Sequence, residues 1–147
     1  MRTEWGTTYN SYLIKGSEKI ALIELVKEPF TEDYIKNIRQ LVDPKEIDYI
    51  VLNHTEPDHS GALRDFLKEA VNARVVGSRI ALNLAREIAN CDFSSMAVKD
   101  GDFIDLGNKT LKFISAPFLH WPDSMFTYLE EDGILFSGDV FGAHYCP

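Results

Sequence analysis

The chain has 147 residues, of which 45% are hydrophobic and 26% are charged, so it can bury the core of one domain and a second domain is not expected. Its formal net charge of −8 argues against nucleic acid and anionic lipid as partners, because neither gains from meeting so acidic a surface. No apolar run approaches the roughly 20 residues that span a bilayer, and no secretion signal opens the chain, so we expect no membrane contact and a cytoplasmic location.

The first part of the chain is predicted to form a β-hairpin followed by a helix. β-Branched and aromatic residues fill residues 8–15 and 19–26 on either side of Gly16, which is typical of two strands joined by a tight turn. Thr31 is placed as the N-cap of a helix whose apolar residues recur at helical spacing, and Asp43-Pro44 ends that helix. The chain therefore starts with two strands and a helix.

Two strand-helix units follow the hairpin and its helix. The apolar run at residues 49–52 predicts a buried strand, which leads through a polar segment, residues 53–60, into a helix at residues 63–70. A second strand, at residues 73–76, leads into a helix that is capped by Ser78. The polar segment therefore lies at a strand-to-helix junction, which is where α/β folds place ligands.

The second half of the chain is rich in short β-strands separated by turns that contain glycine. The predicted strands are residues 102–106, 110–115, 126–129 and 134–136. Since no repeat or linker interrupts the pattern, we expect residues 1–147 to form a single α/β domain, with helices on the faces of mixed strands.

The polar segment, with the sequence NHTEPDHSG, carries two histidines and two carboxylates within six positions. In an extended loop, residues two apart project to the same side, so His54 and Glu56 are expected to hold one metal ion. Asp58 and His59 would then turn towards a second ion. The alternative is a polar loop that caps the next helix through Asp58 or Ser60, with both histidines exposed.

Two further candidate ligands follow strands in the second half of the chain. His120 comes after the strand at residues 110–115, and Asp139 comes after the strand at residues 134–136. Asp139 follows Gly138, which allows close backbone approach, and its two carboxylate oxygens suit a bridge between two metal ions. Taken singly, each is more typical of an ordinary loop residue, but together with the polar segment they predict a two-metal site.

The types of ligand narrow the choice of metal. Three imidazoles and three carboxylates without a thiolate favour iron or manganese over zinc, although zinc can compete on affinity alone. Two divalent ions would outweigh the negative charge of Glu56, Asp58 and Asp139. A bridging hydroxide would balance the remainder, and dioxygen chemistry would start there.

These residues resemble a known family, the β-lactamase-like domain of the flavodiiron proteins, which reduce dioxygen and nitric oxide in anaerobes and microaerophiles. The resemblance implies an α/β metallo-β-lactamase-like αββα sandwich, here incomplete at both ends. Hydrolases of the same superfamily have H-x-H-x-D-H in the loop, and the glutamate at position 56 is typical of the di-iron branch. The matching stretches are GTTYNSYLI, NHTEPDHSG, LHWPDSM and LFSGDVFGAHY.

The resemblance also assigns roles to single residues. It implies that one iron is bound by His54, Glu56 and His120, the second by Asp58 and His59, and that Asp139 bridges the two ions. Trp121 resembles an aromatic residue that lines the family's pocket, although core packing explains it equally well. The family's second iron takes one more histidine, which is expected beyond this chain; His144 is interpreted as a substitute ligand or, with more weight, as a structural residue.

The same resemblance implies cofactors and partners. In the family, FMN on a flavodoxin-like domain reduces the two iron ions, so FMN is expected on a missing or separate module, with an FMN-containing or rubredoxin-like electron donor. Dioxygen or nitric oxide is the expected substrate, and the chain is expected to form a homo-oligomer because open sheet edges invite pairing. The alternatives are a di-iron oxygen sensor or carrier, a zinc-dependent hydrolase, and a remnant without metal.

Overall fold

The computed structural model describes residues 7–142, which form two β-sheets and a layer of helices. The first, mixed sheet has the strand order β1-β2-β3-β4-β5. Its strands are β1 (Tyr12–Lys15), β2 (Ile20–Ile23), β3 (Tyr49–Leu52), β4 (Arg74–Gly77) and β5 (Ser95–Ala97). β1 pairs antiparallel with β2, and the other three pairs are parallel.

The second sheet is antiparallel throughout, with the order β6-β7-β8-β9. Its strands are β6 (Phe103–Asp105), β7 (Thr110–Ser115), β8 (Met125–Leu129) and β9 (Ile134–Phe136). The α-helices are α1 (Thr31–Arg39), α2 (Pro57–Ser60), α3 (Leu63–Glu69) and α4 (Arg79–Ala89). No helix in the described part of the chain combines the length and apolar character needed to cross a membrane.

The mixed sheet is buried on both faces because its side chains alternate between two cores. Leu22 and Ile50 pack with the apolar faces of the helices, whereas their neighbours Ile23 and Val51 pack against the antiparallel sheet. Such strands appear as continuous apolar runs in a sequence, as at residues 49–52. The described residues therefore form three layers, namely helices, mixed sheet and antiparallel sheet.

The parallel pairing of β2, β3 and β4 determines where the functional side chains lie. The carboxyl ends of parallel strands meet at one edge of a sheet. Glu24 follows β2, Asn53 and His54 follow β3, and Ser78 follows β4. The residues after these strands are therefore neighbours in space.

Most predicted elements are confirmed: residues 49–52, 110–115 and 134–136 form strands with the predicted bounds, and the two hairpin strands are shorter than predicted. One prediction was wrong and one strand was missed. Thr31 is the first residue of α1 and not its N-cap, because a 3-10 turn, Glu28–Phe30, runs directly into the helix. The Thr31 hydroxyl donates instead to the carbonyl oxygen of Glu28, at 2.7 Å. The short strand β5 was not predicted, since its three residues carry no apolar alternation and are ordered by pairing with β4.

Ser78 is confirmed as the cap of α4. Its hydroxyl oxygen accepts a hydrogen bond from the backbone N–H of Ala81, at 3.0 Å. At the other end, Asn90 adopts the left-handed conformation that often ends a helix.

The core between the sheets yields a stability prediction. Phe113 in β7 is 1% exposed, whereas Phe103 in the neighbouring strand β6 is 66% exposed. Phe113→Ala is expected to lower the free energy of unfolding by about 3–5 kcal/mol, because it removes buried apolar contacts and leaves a cavity. Phe103→Ala should change it by less than about 0.5 kcal/mol. Urea unfolding measures both; similar losses would contradict the observed packing.

Candidate metal centre

The structure brings all six predicted ligands together where the ends of the two sheets meet. Their side chains form two groups, in which one ligand atom from each residue lies within 4.8 Å of the others. The groups are His54, Glu56, His120 and Asp139, and Asp58, His59 and Asp139. Asp139 belongs to both groups. That these side chains bind metal stays a prediction.

Asp139 reaches both groups because its two carboxylate oxygens face different histidines. Oδ1 lies 3.0 Å from Nε2 of His59, and Oδ2 lies 3.6 Å from Nε2 of His120. The residue sits in a 3-10 turn just after β9, and Gly138 before it has a φ of +55°, which favours glycine. This is the placement that a bridging carboxylate requires.

Glu56 lies between the two histidines of the first group. Its Oε2 is 3.4 Å from Nε2 of His54 and 3.9 Å from Nε2 of His120. His54 is buried, while His120 lies at the exposed rim, and their rings meet edge to face with centroids 4.9 Å apart. The Nε2 atoms of both rings therefore point towards the same carboxylate.

A single helical turn, α2, directs Asp58 and His59 to the second group. The expected extended conformation ends at Pro57, whose fixed φ suits the first position of a helix. The backbone N–H of His59 then donates to the carbonyl oxygen of Glu56, at 2.8 Å. The prediction that the whole segment is extended was therefore wrong, but the helical turn still separates Asp58 and His59 from His54.

The alternative reading of the polar segment, as a loop that caps the next helix, is wrong. Ala62 precedes α3, and no side-chain hydrogen bond caps that helix. The hydroxyl of Ser60 donates instead to the carbonyl oxygen of Thr55, at 2.8 Å. His54 is only 2% exposed, which also excludes the exposed position that this reading required.

Sequence reasoning missed Asp123, which lies behind His54 in the loop between β7 and β8. Its Oδ1 is 3.1 Å from Nδ1 of His54, and Oδ2 accepts hydrogen bonds from the N–H and the hydroxyl of Thr55, at 2.8 and 2.6 Å. Burial alone would raise the pKa of Asp123, but the hydrogen bonds from His54 and Thr55 outweigh burial and lower it. Its place in LHWPDSM, three residues after His120, was the available signal.

Glu24 was missed as well, although it interrupts the apolar run ALIELV. It is buried, its Oε1 accepts from the backbone N–H of Asn53 at 2.9 Å, and its Oε2 lies 3.6 Å from Nδ1 of His59. Burial raises the pKa of Glu24, and His59 opposes that rise. A carboxylate within an otherwise apolar strand end was the signal that could have found it.

The surroundings of buried His54 and half-buried His59 favour positive charge on both rings. Burial alone would lower the pKa of His59, but the neighbouring carboxylates, with Glu24 foremost, raise it to about 9. Burial also works against protonation of His54, yet Asp123 outweighs it and raises the pKa of that ring. Both rings therefore lie where a positive charge, from a proton or a metal ion, is stabilised.

The residues present fit a pair of metal ions. Among residues 7–142, no lysine or arginine forms an ion pair with Glu56, Asp58 or Asp139, so only the histidines are available to offset these carboxylates. In the same part of the chain, Oδ1 of Asp58 and Oε2 of Glu24 are buried without a hydrogen-bond partner. Unsatisfied buried oxygens are costly, and a cation would satisfy Asp58.

Trp121, the predicted pocket aromatic, lies beside the first group. Its ring centroid is 4.9 Å from that of His54, with the rings edge to face. At 40% exposure it is not a core residue. Its position agrees with a pocket wall, and that role stays a prediction. His144, considered as a substitute ligand, lies outside the described residues.

A cavity of about 200 Å³ opens beside the second group. Asp58, His59 and Asp139 line it on one side, and Tyr9 and Tyr12 contribute to its wall. The cavity therefore gives a small molecule access to the second group, and His120 is not among its lining residues.

The family model of the ODP family beta lactamase matches residues 7–146. The chain belongs to this family. Flavo-diiron protein FprA2 of Clostridium acetobutylicum is 48% identical, over 99% of this chain and 37% of its own length. Nitric oxide reductase of Moorella thermoacetica is 45% identical, over 97% of this chain and 36% of its own.

Solved structures of ODP-family relatives agree with the fold. The flavodiiron protein of Giardia intestinalis matches with a TM-score of 0.92 and 39% identity, over 98% of this chain and 35% of that chain. Rubredoxin oxygen:oxidoreductase of Desulfovibrio gigas matches with a TM-score of 0.92 and 33% identity, over 98% of this chain and 36% of that chain. The predicted flavodiiron resemblance and metallo-β-lactamase-like fold are confirmed. The chain spans about a quarter to a third of the length of the curated relatives it matches.

The clustered carboxylates predict that a divalent cation stabilises the protein. Fe²⁺ added without oxygen at about 100 times its dissociation constant is expected to raise the free energy of unfolding by about 2.7 kcal/mol for each ion bound, because it binds only the folded state. Asp139→Asn should lose most of this gain, since Asp139 faces both groups. Thermal and urea unfolding with and without Fe²⁺ measure the effect.

The control for this prediction is Asp65→Asn. Asp65 lies on the surface of α3, where it pairs with Lys68 away from the candidate centre. This variant should gain as much from Fe²⁺ as the unaltered chain does. Equal stability with and without Fe²⁺ in the unaltered chain would contradict a metal centre.

Proposed function

We propose that this chain is the di-iron module of a reductase that acts on dioxygen or nitric oxide. The observation that carries the proposal is Asp139, which faces His120 with one carboxylate oxygen and His59 with the other. A carboxylate shared between two sets of nitrogen and oxygen ligands is suited to two neighbouring metal ions. His54, Glu56 and His120 would hold the first ion, and Asp58 and His59 the second.

The ligand set supports iron over zinc. Glu56 lies where the hydrolases of the superfamily have a histidine, so the first group holds two imidazoles and two carboxylates. Oxygen-rich sites of this kind suit iron and manganese, and no described cysteine takes part. The relatives named flavodiiron proteins support the same assignment.

A pair of iron ions, when bound, supplies redox chemistry, namely electron transfer to a small oxidant. The chain's own residues determine the surroundings of the two proposed metal ions. Oδ1 of Asp123 lies 3.1 Å from Nδ1 of His54, and the opposite ring nitrogen, Nε2, faces Glu56. Trp121 covers the ring of His54 at the open side, and the cavity beside Asp58 admits small molecules.

The class of substrate is inferred from the size of the cavity and the charge of its lining residues. Apart from His59, which is a proposed metal ligand, the described residues that line the cavity include no cationic side chain that would select an anionic substrate. Small, uncharged diatomic molecules fit this condition. The names of two relatives, a nitric oxide reductase and a rubredoxin oxygen:oxidoreductase, support nitric oxide and dioxygen.

The electrons must come from a partner or from another module. The names of the relatives point to flavin and rubredoxin, so we propose an FMN-containing or rubredoxin-like donor. Association into a homo-oligomer and a cytoplasmic location stay predictions.

A donor-coupled assay tests the proposed activity. The chain is loaded with Fe²⁺ without oxygen, mixed with a reduced FMN-containing flavodoxin-type protein, and exposed to dioxygen or nitric oxide while an electrode follows consumption. Consumption is expected to depend on the iron-loaded chain. His120→Ala should lower the rate by at least about 100-fold, because it removes a proposed ligand and losing even a supporting contact costs up to that much.

The matched control for the assay is Asp105→Asn. The Asp105 carboxylate accepts a hydrogen bond from the backbone N–H of Gly107 at an exposed turn, and asparagine can keep that bond. The rate should therefore stay unchanged. Reversible oxygen binding without consumption would favour a sensor or carrier instead. Stoichiometric zinc with hydrolytic activity that survives iron chelation would overturn the reductase assignment.

A further inference from the structure

Two buried carboxylates lie behind His54 and His59 of the candidate centre, and neither belongs to the groups of possible metal ligands. Asp123 faces Nδ1 of His54, and Glu24 faces Nδ1 of His59. We propose that both are positioning residues, Asp123 for the first metal ion and Glu24 for the second. This inference rests on the proposed two-metal function.

The Asp123 carboxylate is oriented so that one of its oxygens can accept a hydrogen bond from His54. Its Oδ2 is occupied by the N–H and the hydroxyl of Thr55. Its Oδ1 therefore remains for Nδ1 of His54, at 3.1 Å. A carboxylate acceptor at Nδ1 places the ring proton there and leaves the lone pair on Nε2, which lies 3.4 Å from Glu56.

The backbone of Asp123 is fixed as well. Its carbonyl oxygen accepts a hydrogen bond from the hydroxyl of Ser78, at 3.0 Å, and that same hydroxyl caps α4. The loop that carries Asp123 is thus tied to the carboxyl end of β4. Since Asp123 is 0% exposed, water does not compete for its contact with His54.

Glu24 forms the equivalent arrangement behind His59. Asn53 holds its Oε1, and its Oε2 lies 3.6 Å from Nδ1 of His59 and has no hydrogen-bond partner among the described residues. The opposite ring nitrogen, Nε2, lies 3.0 Å from Asp139. Glu24 also has a φ of +61°, a conformation that costs a residue with a side chain roughly 1–3 kcal/mol and is often retained at functional sites.

The two carboxylates are expected to act on different metal ions. His54 belongs only to the first group and His59 only to the second, while Asp139 is the one residue that the groups share. Loss of one positioning carboxylate should therefore weaken the binding of one metal ion and leave the binding of the other unchanged.

Amide substitutions isolate this effect because they keep the shape of the side chain. In Asp123→Asn, the side-chain oxygen can still accept from Thr55, so the NH₂ group faces His54. A donor at that point drives the ring proton from Nδ1 to Nε2, where the metal ion has to bind. Glu24→Gln acts in the same way on His59. Each substitution is expected to lower the affinity for the metal ion bound by the affected histidine by about 10- to 100-fold.

The experiment measures Fe²⁺ affinity by equilibrium dialysis without oxygen in two backgrounds. Asp58→Ala removes a ligand found only in the second group, and Glu56→Ala with His120→Ala removes two found only in the first. Asp123→Asn should lower the Fe²⁺ affinity in the Asp58→Ala background. It should change the affinity little in the background that lacks Glu56 and His120. Glu24→Gln should show the reverse.

Asp48→Asn is the matched control. Asp48 is a half-buried carboxylate that accepts from the backbone N–H of Ile20, at 2.8 Å, before β3 and hence at the opposite end of that strand from His54. It should leave both affinities unchanged. A misfolded variant would lose both metal ions, so a loss confined to one background cannot arise from unfolding.

A measurement on the unaltered chain tests the inference without any variant. In the protein loaded with Zn²⁺ as a diamagnetic probe, long-range proton–nitrogen correlation spectra should place the ring proton of His54 and His59 on Nδ1. A proton on Nε2 of either ring would overturn the proposal for that residue.

The remaining outcomes separate this inference from the proposed function. An unaltered chain that binds two Fe²⁺ ions, with affinities that neither amide substitution changes, would overturn the positioning roles alone. A chain that binds no Fe²⁺ would overturn the two-metal function and the positioning roles together.

Discussion

The buried side chain of Asn53 joins the two sheets at the point where the candidate centre lies, and the rest of the site depends on it. Its amide oxygen accepts from the hydroxyl of Thr127, and its amide nitrogen donates to the carbonyl oxygen of Phe136. Its backbone N–H donates to Glu24, and its backbone carbonyl accepts from Met125. One residue thus connects β2, β3, β8 and β9, and its hydrogen bonds are strong because they are shielded from water.

This connection explains how residues far apart in the chain reach one place. The parallel pairing of β2 and β3 puts Glu24 beside the start of the polar segment, and Asn53 draws the end of β9 to the same point. Asp139 follows β9 within three residues, and Asp123 precedes β8 by two. Stability of the sheet junction and geometry of the centre are therefore coupled, since the same hydrogen bonds hold both.

Much of this arrangement could be predicted from the sequence, since the signals were local. The dense polar segment after an apolar run, and single ligands after later strands, were sufficient to predict that His54, His120 and Asp139 converge. The strand β5 depends on pairing with β4, so local patterns did not indicate it, whereas Pro57 was a local signal for the helical turn of α2. Glu24 and Asp123 each had a local signal, but burial and contact with a histidine ring are what distinguish them from other carboxylates, and a sequence shows neither.

The two missed carboxylates also change the electrostatics of the centre. With them, five carboxylates surround three imidazoles, so two divalent cations would only about neutralise the cluster when the rings are neutral. Carboxylates that accept from Nδ1 make the opposite nitrogen more basic and strengthen it as a ligand. An anionic surrounding also favours the higher charge state of whatever it binds. With iron bound as proposed, Glu24 and Asp123 would therefore also favour release of electrons from the metal ions to a small oxidant.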